Sequence, residues 1–366
     1  MSEKEYNKTV VAAMSGGVDS SVAAVLLKQD GYEVIGITIK TWGYDDFPLK
    51  DSGCCSLEAI YNAKNVCQQI GIPHYTMDFT KEFNETVIEN FISEYMHGFT
   101  PNPCVLCNKL IKWGLLLEKA KSLGADRIAT GHYANVNYND KEKRYYIQKS
   151  KDETKDQTYA LWQLSQDSLS RTLFPLGNYT KKEIRIIAGK MGLKTAATPD
   201  SQEICFVPDN DYRELLQIRI PGIEEKIGDG DIIYKGKKIG RHKGFYNYTI
   251  GQRRGLKVAL GNPVYVSKID SENNLIFLDD EEGLYNEGLI ANNINLMMCE
   301  RIEKTIKAKV KVRYKDGGSD ATLEQIDDNN IKVIFESPKK SITPGQSAVF
   351  YIGDDVFGGG IITKAI

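Results

Sequence analysis

A glycine-rich segment near the start of the chain has the form of a site for anionic oxygens. It runs from Ser15 to Ser20, follows a short apolar run and precedes an apolar pattern with helical spacing. Backbone N–H groups of such a turn, with the N-terminus of the following helix, form a pocket for phosphate oxygens. The segment is not the Walker form, because it lacks a lysine before the terminal Ser or Thr. The alternative is a glycine turn that only packs a helix on its sheet.

A proline-rich loop carries two cysteines, Cys104 and Cys107, separated by two residues. A helix predicted to begin near Asn108 places Cys107 at a helix N-terminus, where the dipole lowers the pKa of a thiol. Lys109 and Lys112 act in the same direction. The two-residue gap also suits a shared metal, either an iron–sulfur cluster or zinc. The alternative is that both cysteines are small buried apolar residues.

The other reactive residue types are less specific. Cys205 follows turn-forming residues but stands between an isoleucine and a phenylalanine, so packing and chemistry both remain open. Cys67 and Cys299 lie in apolar patterns and are predicted to be packing residues. The pattern leaves Cys54 and Cys55 undecided. His132 is either a general acid or base, or a cap for local backbone groups.

Two cationic segments are candidates for RNA contact. In the first, cations alternate with apolar residues from Lys307 to Lys315, so on a strand they would line about 27 Å of one face. In the second, cations mix with rings between Arg241 and Arg254, a composition that suits unpaired bases. The alternative for the first is an ordinary solvated face, on which lysine prevents edge pairing.

The bulk composition describes a globular protein of more than one domain. The chain has 366 residues, 41% hydrophobic and 26% charged, and exceeds the size of a single core. The formal net charge of -2 means that any RNA contact is local. Seven cysteines without an export signal, and no apolar run near the roughly 20 residues of a bilayer span, predict a cytoplasmic protein without a membrane partner.

The elements that must position these residues alternate between strand and helix in the first half of the chain. Strands are predicted at 9–14, 34–39, 73–79 and 127–130, with helical patterns between them. This alternation predicts an α/β domain with a parallel, doubly wound sheet. Beyond about Arg219, glycine turns and short alternating runs predict β structure. The expected domains are 1–208, a central β-rich linking domain at 209–283, and a C-terminal β-barrel at 284–366.

Several motifs together carry a resemblance to a known family. The glycine segment resembles the loop of AMP-forming ATP pyrophosphatases, called the PP-loop. The full set resembles the bacterial tRNA-specific 2-thiouridylases, and it comprises SGGVDS, PNPCVLCN, TGHYA, KDQTY, ICF and TIGQRRGL, in family order along almost the whole chain. The resemblance implies an adenine nucleotide alpha hydrolase-like first domain, a tRNA-contacting C-terminal barrel, and ATP-dependent formation of 2-thiouridine at the wobble position, U34.

The resemblance also implies roles for individual residues. ATP is expected against Ala13, Met14, Ser15, Gly16, Gly17, Val18, Asp19, Ser20, Ile39 and Gly131. Asp19 is expected to help hold Mg²⁺. The tRNA is expected against Asn102, Pro103, Cys104, Lys155, Asp156, Gln157, Arg313 and Tyr314. Since Asp156 cannot attract phosphate, a hydrogen bond to a base or ribose is its sensible role.

For sulfur transfer, the resemblance implies that Cys205 carries a persulfide supplied by a relay protein or a cysteine desulfurase. Cys107 is then the partner thiol, and a Cys107–Cys205 disulfide remains after transfer. Many family members have aspartate at the position of Cys104, whereas others share the cysteine. With Cys104, Cys107 and Cys205 present, three thiolates are available for an iron–sulfur cluster, so this alternative stays open.

Two other function classes share part of this pattern. An AMP-forming ligase acting on a small carbonyl substrate would use the same glycine loop, but it has no need for Cys107 or Cys205. A non-catalytic tRNA-binding protein would keep the scaffold without ATP turnover. The intact Asp19 and the paired thiols count against that last class.

Overall fold

The computed structural model describes residues 8–42, 57–197, 204–207 and 211–366. Cys54 and Cys55 therefore lie outside the described residues, as do 201–203, directly before the Cys205 segment. The helices are α1 (Val18–Gln29), α2 (Leu57–Ile70), α3 (Thr80–Phe83), α4 (Glu89–Met96), α5 (Pro103–Cys107), α6 (Leu117–Ser122), α7 (Gln166–Ser170), α8 (Lys181–Lys190), α9 (Tyr212–Arg219) and α10 (Ile223–Ile227). Two π-helical segments, Asn84–Ile88 and Asn108–Leu116, join α3 to α4 and α5 to α6.

The strands number from the N-terminus within this described part. They are β1 (Thr9–Ala13), β2 (Glu33–Lys40), β3 (His74–Asp78), β4 (Arg127–Ala129), β5 (Ala134–Asn139), β6 (Arg144–Lys149), β7 (Thr172–Leu173), β8 (Gly230–Tyr234), β9 (Lys237–His242), β10 (Tyr265–Asp270), β11 (Leu275–Asp279), β12 (Tyr285–Leu296), β13 (Ile306–Lys311), β14 (Ser319–Gln325), β15 (Ile331–Lys340), β16 (Ser347–Ile352) and β17 (Asp355–Ala365). None of the described helices is both long and apolar enough to cross a bilayer.

The first sheet has the order β3-β2-β1-β4-β7, and all its pairings are parallel. Alternate residues of β1 face opposite sides: Val11 contributes to one hydrophobic core, Val10 and Ala12 to another. This two-sided burial explains why the strand is almost continuously apolar. The predicted parallel, doubly wound α/β domain is confirmed.

The rest of the chain is mostly β structure. A four-stranded sheet has the order β10-β11-β8-β9, and six antiparallel strands close into a barrel through the additional β12–β17 pairing. Closure removes the exposed edges that an open sheet would present. The predicted β-rich centre and C-terminal barrel are also confirmed.

The hairpin of β5 and β6 was not predicted from the sequence. It belongs to the first half of the chain but pairs with the barrel strand β17, where Ile147 lies opposite Val356. A strand whose partner lies about 200 residues away leaves no mark in local spacing. The hairpin joins the α/β half to the barrel.

Candidate active site at the carboxyl edge of the parallel sheet

The glycine loop connects β1 to α1. Gly17 caps the helix, and Gly16 has a φ of +74°, which favours glycine. A Cβ on Gly16 would overlap the carbonyl group of Ala59, so only glycine fits there. The Ser20 hydroxyl donates to the Gly17 carbonyl at 3.1 Å and accepts from the Ser15 N–H at 3.1 Å. The loop is therefore held tightly, with the amide groups of the first turn of α1 at its rim.

Gly131 follows strand β4, which neighbours β1 in the sheet, and packs against this loop. A Cβ on it would lie 2.8 Å from the Ser20 nitrogen and 2.9 Å from the carbonyl carbon of Asp19. Since β1 pairs with β2 on one side and β4 on the other, the order of strands reverses here. Ligands of open α/β sheets bind at such a switch point. Ile39 is near the carboxyl end of β2, so the predicted ATP residues gather at one edge.

Asp19 is held by two partners that the sequence analysis missed. The Lys181 ammonium donates to its carboxylate at 2.6 and 2.8 Å, and the Tyr133 hydroxyl donates at 2.8 Å. Only 12% of the Lys181 side chain is exposed. Lys181 is the first residue of α8, where Thr180 and Glu183 form a capping box. The T-x-x-E pattern of Thr180 and Glu183 could have predicted from the sequence that a helix begins at Lys181.

The proline loop opens a helix earlier than predicted. Asn102 accepts a hydrogen bond from the Cys104 N–H at 3.2 Å, and Pro103 is the first helical residue. The expectation that the helix begins near Asn108 with Cys107 at its N-terminus is therefore wrong. Proline suits the first helical position because its missing N–H would have no partner there. Cys104, not Cys107, occupies the first turn.

Cys104 lies near Lys112 of the α/β half and Tyr314 of the barrel, both close enough to interact electrostatically with its thiol. The residue is exposed, yet the protein around its sulfur raises the pKa of the thiol by desolvation, and the Lys112 ammonium opposes this rise. Desolvation, the carboxylate of Asp156 and the thiolate of Cys104 all raise the pKa of Tyr314. Cys104, Asp156 and Tyr314, which were predicted separately to meet tRNA, are therefore neighbours.

The side chains of Asp156 and Gln157 accept hydrogen bonds from neighbouring parts of the protein. Asp156 accepts from the Ser150 N–H at 3.3 Å and from the Thr158 hydroxyl at 2.7 Å, and burial raises the pKa of its carboxyl group. The Gln157 side-chain carbonyl accepts from the Tyr133 N–H at 2.9 Å. Their segment, which begins with Lys155, therefore lies between the barrel residue Tyr314, with which Asp156 interacts electrostatically, and Tyr133, which contacts Asp19.

Arg313 and Tyr314 lie on a turn of the barrel. Asp316 stabilises it by accepting from the Val312 N–H at 3.0 Å and from Lys339 at 2.7 Å, in an ion pair that is mostly shielded from water. Tyr314 is 44% exposed, and its ring centre lies 6.2 Å from that of Tyr159.

The two cationic segments are less available for RNA than predicted. Strand β13 ends at Lys311, so a single row of five cations is wrong. Lys307 also pairs with Glu336 at 3.1 Å. In the second segment, Lys243 pairs with Asp229. In this second segment, an open pocket of about 500 Å³ is nonetheless lined by Arg213 and by six consecutive residues. These are Thr249, Ile250, Gly251, Gln252, Arg253 and Arg254.

Cys205 occupies a short turn closed by a hydrogen bond from the Val207 N–H to the Ile204 carbonyl at 3.1 Å. The next residue, Phe206, is buried, and its ring packs edge-on against Phe83 at 5.5 Å and Phe91 at 5.3 Å. This aromatic anchor fixes the turn that carries the thiol.

Cys107 and Cys205 are both thiols that border the same hydrophobic core. Within the described ranges, no three His, Cys, Asp or Glu side chains lie close enough to hold a metal ion. Cys104, Cys107 and Cys205 therefore do not form a three-ligand set in this conformation.

Comparisons with known proteins assign each part of the chain to a described family. Residues 8–209 match a family described as tRNA methyl transferase HUP domain, 222–280 its PRC-barrel domain, and 286–362 an aminomethyltransferase beta-barrel domain. The tRNA-specific 2-thiouridylase MnmA of Natranaerobius thermophilus is 49% identical over 97% of both chains. This chain belongs to the tRNA-specific 2-thiouridylase family. The MnmA of Salinibacter ruber, 49% identical over 96% of this chain and 94% of that protein, extends the match to another organism.

One solved structure is a more distant neighbour of this 2-thiouridylase family member. The U34-tRNA thiolase NcsA from Methanococcus maripaludis with its 4Fe-4S cluster is 21% identical, with a TM-score of 0.34 over 60% of this chain and 69% of that chain. Such a low similarity carries no argument about the sulfur chemistry here.

Proposed function

We propose that the protein is a cytoplasmic tRNA-uridine 2-sulfurtransferase that converts U34 to 2-thiouridine and releases AMP and pyrophosphate. The observation that carries the proposal is a continuous series of neighbouring residues from the glycine loop to the barrel. Gly131 packs against the glycine loop, the adjacent His132 contacts Lys112, and Lys112 and the barrel residue Tyr314 both interact with Cys104. A uracil entering from the barrel side would meet the nucleotide beside a thiol-bearing helix. A ligase for small substrates would not need a barrel there.

Adenylation makes the uracil oxygen a leaving group. A lone pair of O2 attacks the α-phosphorus, the bond to the β-phosphate oxygen breaks, pyrophosphate leaves with that electron pair, and N3 loses its proton. Glycine-loop amides from Ser15 to Ser20 would bind the departing pyrophosphate. Mg²⁺ would be held by Asp19 with phosphate oxygens and water, a donor set that suits this ion, after Lys181 moves from the carboxylate. Bound there, Mg²⁺ would neutralise phosphate charge.

Sulfur transfer then uses two cysteines. The terminal sulfur of a Cys205 persulfide attacks C2, and the bond to oxygen breaks as AMP leaves with the electron pair. The Cys107 thiolate attacks the Cys205 sulfur and breaks the S–S bond, so the transferred sulfur stays on C2 and N3 regains a proton. The resulting Cys107–Cys205 disulfide is returned to two thiols by a dithiol reductant. A sulfur-relay protein or a cysteine desulfurase would reload Cys205.

The persulfide route is favoured over an iron–sulfur cluster by the positions of the thiols. The persulfide route needs only two thiols, Cys107 and Cys205, both of which pack against the hydrophobic core. A cluster would need Cys104 as a third ligand, and the three side chains do not form such a set within the described ranges. Under the persulfide route, Cys104 would only contact the target base, together with Asn102 and Pro103. Lys155, Asp156, Gln157 and Arg313 would contact the surrounding tRNA.

The test is in vitro thiolation of tRNA followed by mass spectrometry of its nucleosides, with iron measured on anaerobic protein. We expect Cys107→Ser and Cys205→Ser to lose 2-thiouridine and Cys104→Ala to retain it. Cys299→Ser, on the barrel, is the matched control and should retain full activity. Normal product from Cys107→Ser or Cys205→Ser would contradict the proposal. Bound iron that is lost in Cys104→Ala together with activity would favour the cluster instead.

A further inference from the structure

Lys112 occupies a position that the proposed reaction has not yet used. It lies in the π-helical segment Asn108–Leu116, is half-buried, and directs its ammonium group to within 3.4 Å of the His132 Nε2. The other ring nitrogen of His132, Nδ1, lies 2.7 Å from the Thr130 hydroxyl. Trp113 and Phe174 flank the imidazole, with ring centres at 5.8 and 6.0 Å. The histidine is thus held in one orientation.

His132 holds this lysine without cancelling its charge. Desolvation and the nearby Lys112 charge lower the pKa of the imidazole well below its ordinary value, so the ring is neutral. An ammonium group has donors but no acceptor, so Nε2 must accept from Lys112. The ring proton therefore lies on Nδ1 and is donated to Thr130. This assignment favours the local-contact role for His132 over the acid–base role.

Within the described residues, no carboxylate forms an ion pair with Lys112, whose hydrogen-bond partner His132 is neutral. Lys181, by contrast, is paired with Asp19. Removing a cation from water is costly unless a negative group compensates for the lost hydration. A half-buried lysine with a neutral partner is thus suited to an anionic ligand that arrives with the substrate.

The location of Lys112 narrows the identity of that anion. Its partner His132 adjoins Gly131, which touches the glycine loop at Ser20. On the other side, the ammonium is close enough to Cys104 for its charge to act on that thiol. In an adenylated uridine, the α-phosphate is the group bonded to both nucleoside and uracil oxygen. The α-phosphate must therefore lie between the glycine loop, which would bind the nucleotide, and Cys104, which would contact the target base.

We propose that Lys112, held by neutral His132, contacts the α-phosphate during adenylation and on the AMP leaving group. This inference rests on the proposed function, because that reaction joins the α-phosphate to uracil. Lys112 donates to a nonbridging oxygen, where negative charge must be stabilised as the phosphorus is attacked and again as AMP departs. The cation is already in place before the reaction, so little reorganisation is required.

The test measures pyrophosphate release with ATP and tRNA, and AMP release when Cys205 has also been loaded with a persulfide, in Lys112→Met and Lys112→Ala. Loss of one positioned donor of this kind lowers the rate by about 10²- to 10³-fold, and we expect that loss in kcat with tRNA affinity nearly unchanged. Lys119→Met is the matched control, an exposed lysine on the following helix α6, and should resemble wild type. Ethylammonium should partly restore Lys112→Ala, whereas propanol of similar size should not.

The possible outcomes distinguish failure of the proposed function, failure of the α-phosphate contact, and a contact with RNA phosphate. If wild type releases no pyrophosphate with ATP and tRNA, and no AMP once Cys205 carries a persulfide, the proposed function and this inference both fail. If wild type is active and Lys112→Met releases pyrophosphate and AMP at the wild-type rate, the inference about Lys112 is overturned while the proposed function stands. If Lys112→Met only weakens tRNA binding, with a shallower salt dependence, the anion is an RNA backbone phosphate and the α-phosphate assignment is wrong.

Discussion

Two lysines at the nucleotide edge have different partners, and this difference assigns them different tasks. Lys181 is paired with the Asp19 carboxylate, whereas Lys112 contacts a neutral imidazole. A lysine–carboxylate pair presents little net charge to a ligand, while a lysine on a neutral acceptor retains its full charge. The protonation state of His132 therefore determines the positive charge around Lys112 that an anionic ligand would meet.

His132 should make the folded protein sensitive to acid. Its pKa is lowered in the folded state, whereas in the unfolded chain it titrates near about 6.5. The unfolded state therefore binds more protons as the pH falls below that value, so this contribution to stability is full above it and is lost toward the lowered pKa. We expect the Tm of wild type to fall more than that of His132→Gln between about pH 7.5 and about pH 5.5.

The measurement is thermal unfolding of both proteins in matched buffers. The pKa values of His74 and His242 are also lowered, but both residues are present in wild type and variant, so the difference between the two proteins isolates His132. Equal loss of Tm in the two proteins would show that His132 is not held neutral.

At the scale of elements, a barrel loop clamps the proline loop that carries Cys104. The Thr100 N–H donates to the Pro344 carbonyl at 2.9 Å, and the Gln346 side chain donates to the Thr100 carbonyl at 2.7 Å. Gly345 stands between these contacts with a φ of +88°. The start of α5 is thus positioned by an element that follows it by more than 200 residues.

Gly345→Ala should disturb this clamp. A Cβ there would lie 2.9 Å from the Phe99 Cβ and the Thr100 nitrogen, in addition to the left-handed backbone cost of about 1–2 kcal/mol. Gly353→Ala is the control, because its φ is +62° and nothing lies within 4 Å of the added atom. We expect a larger loss of stability and of 2-thiouridine formation for Gly345→Ala, measured by denaturant unfolding and nucleoside analysis. Equal effects of the two substitutions would exclude a specific clamp.

At the scale of the whole molecule, the nucleotide-binding half and the barrel share a hydrophobic core. Trp162 is fully buried, and its indole N–H donates to the Ser347 hydroxyl at 2.9 Å. The Asn295 amide donates to the Trp162 carbonyl at 2.6 Å, and Gly359 provides space for the ring. Such an interface couples the stability of the two halves, because neither can unfold without exposing the other's apolar surface.

Trp162→Ala should therefore destabilise both halves together. Removing a buried tryptophan costs about 3–5 kcal/mol, and we expect calorimetry to show one transition in wild type and one at lower temperature in the variant. Ile352→Ala, an exposed barrel position, should change the Tm little. Two separate transitions in wild type, with the barrel unaffected by Trp162→Ala, would contradict this coupling.

The sequence by itself determined the features that depend on neighbouring residues. Strand–helix alternation predicted the parallel sheet, the Ser15–Ser20 segment predicted the glycine loop, and short alternating runs predicted the β structure beyond Arg219. Periodicity and turn chemistry are local properties, so they can be recognised without coordinates. The start of α5 was misplaced because the Asn102 cap and Pro103 were not recognised as a helix start.

Only the tertiary structure decided which distant residues meet. Lys181 reaches Asp19 across 162 positions, and strand β6 joins β17. Lys112 lies near Cys104 in sequence, but its contact with His132 depends on how a π-helical segment packs against the end of β4. These contacts arise from packing among elements, and the free energy of such packing leaves no periodic pattern along the chain.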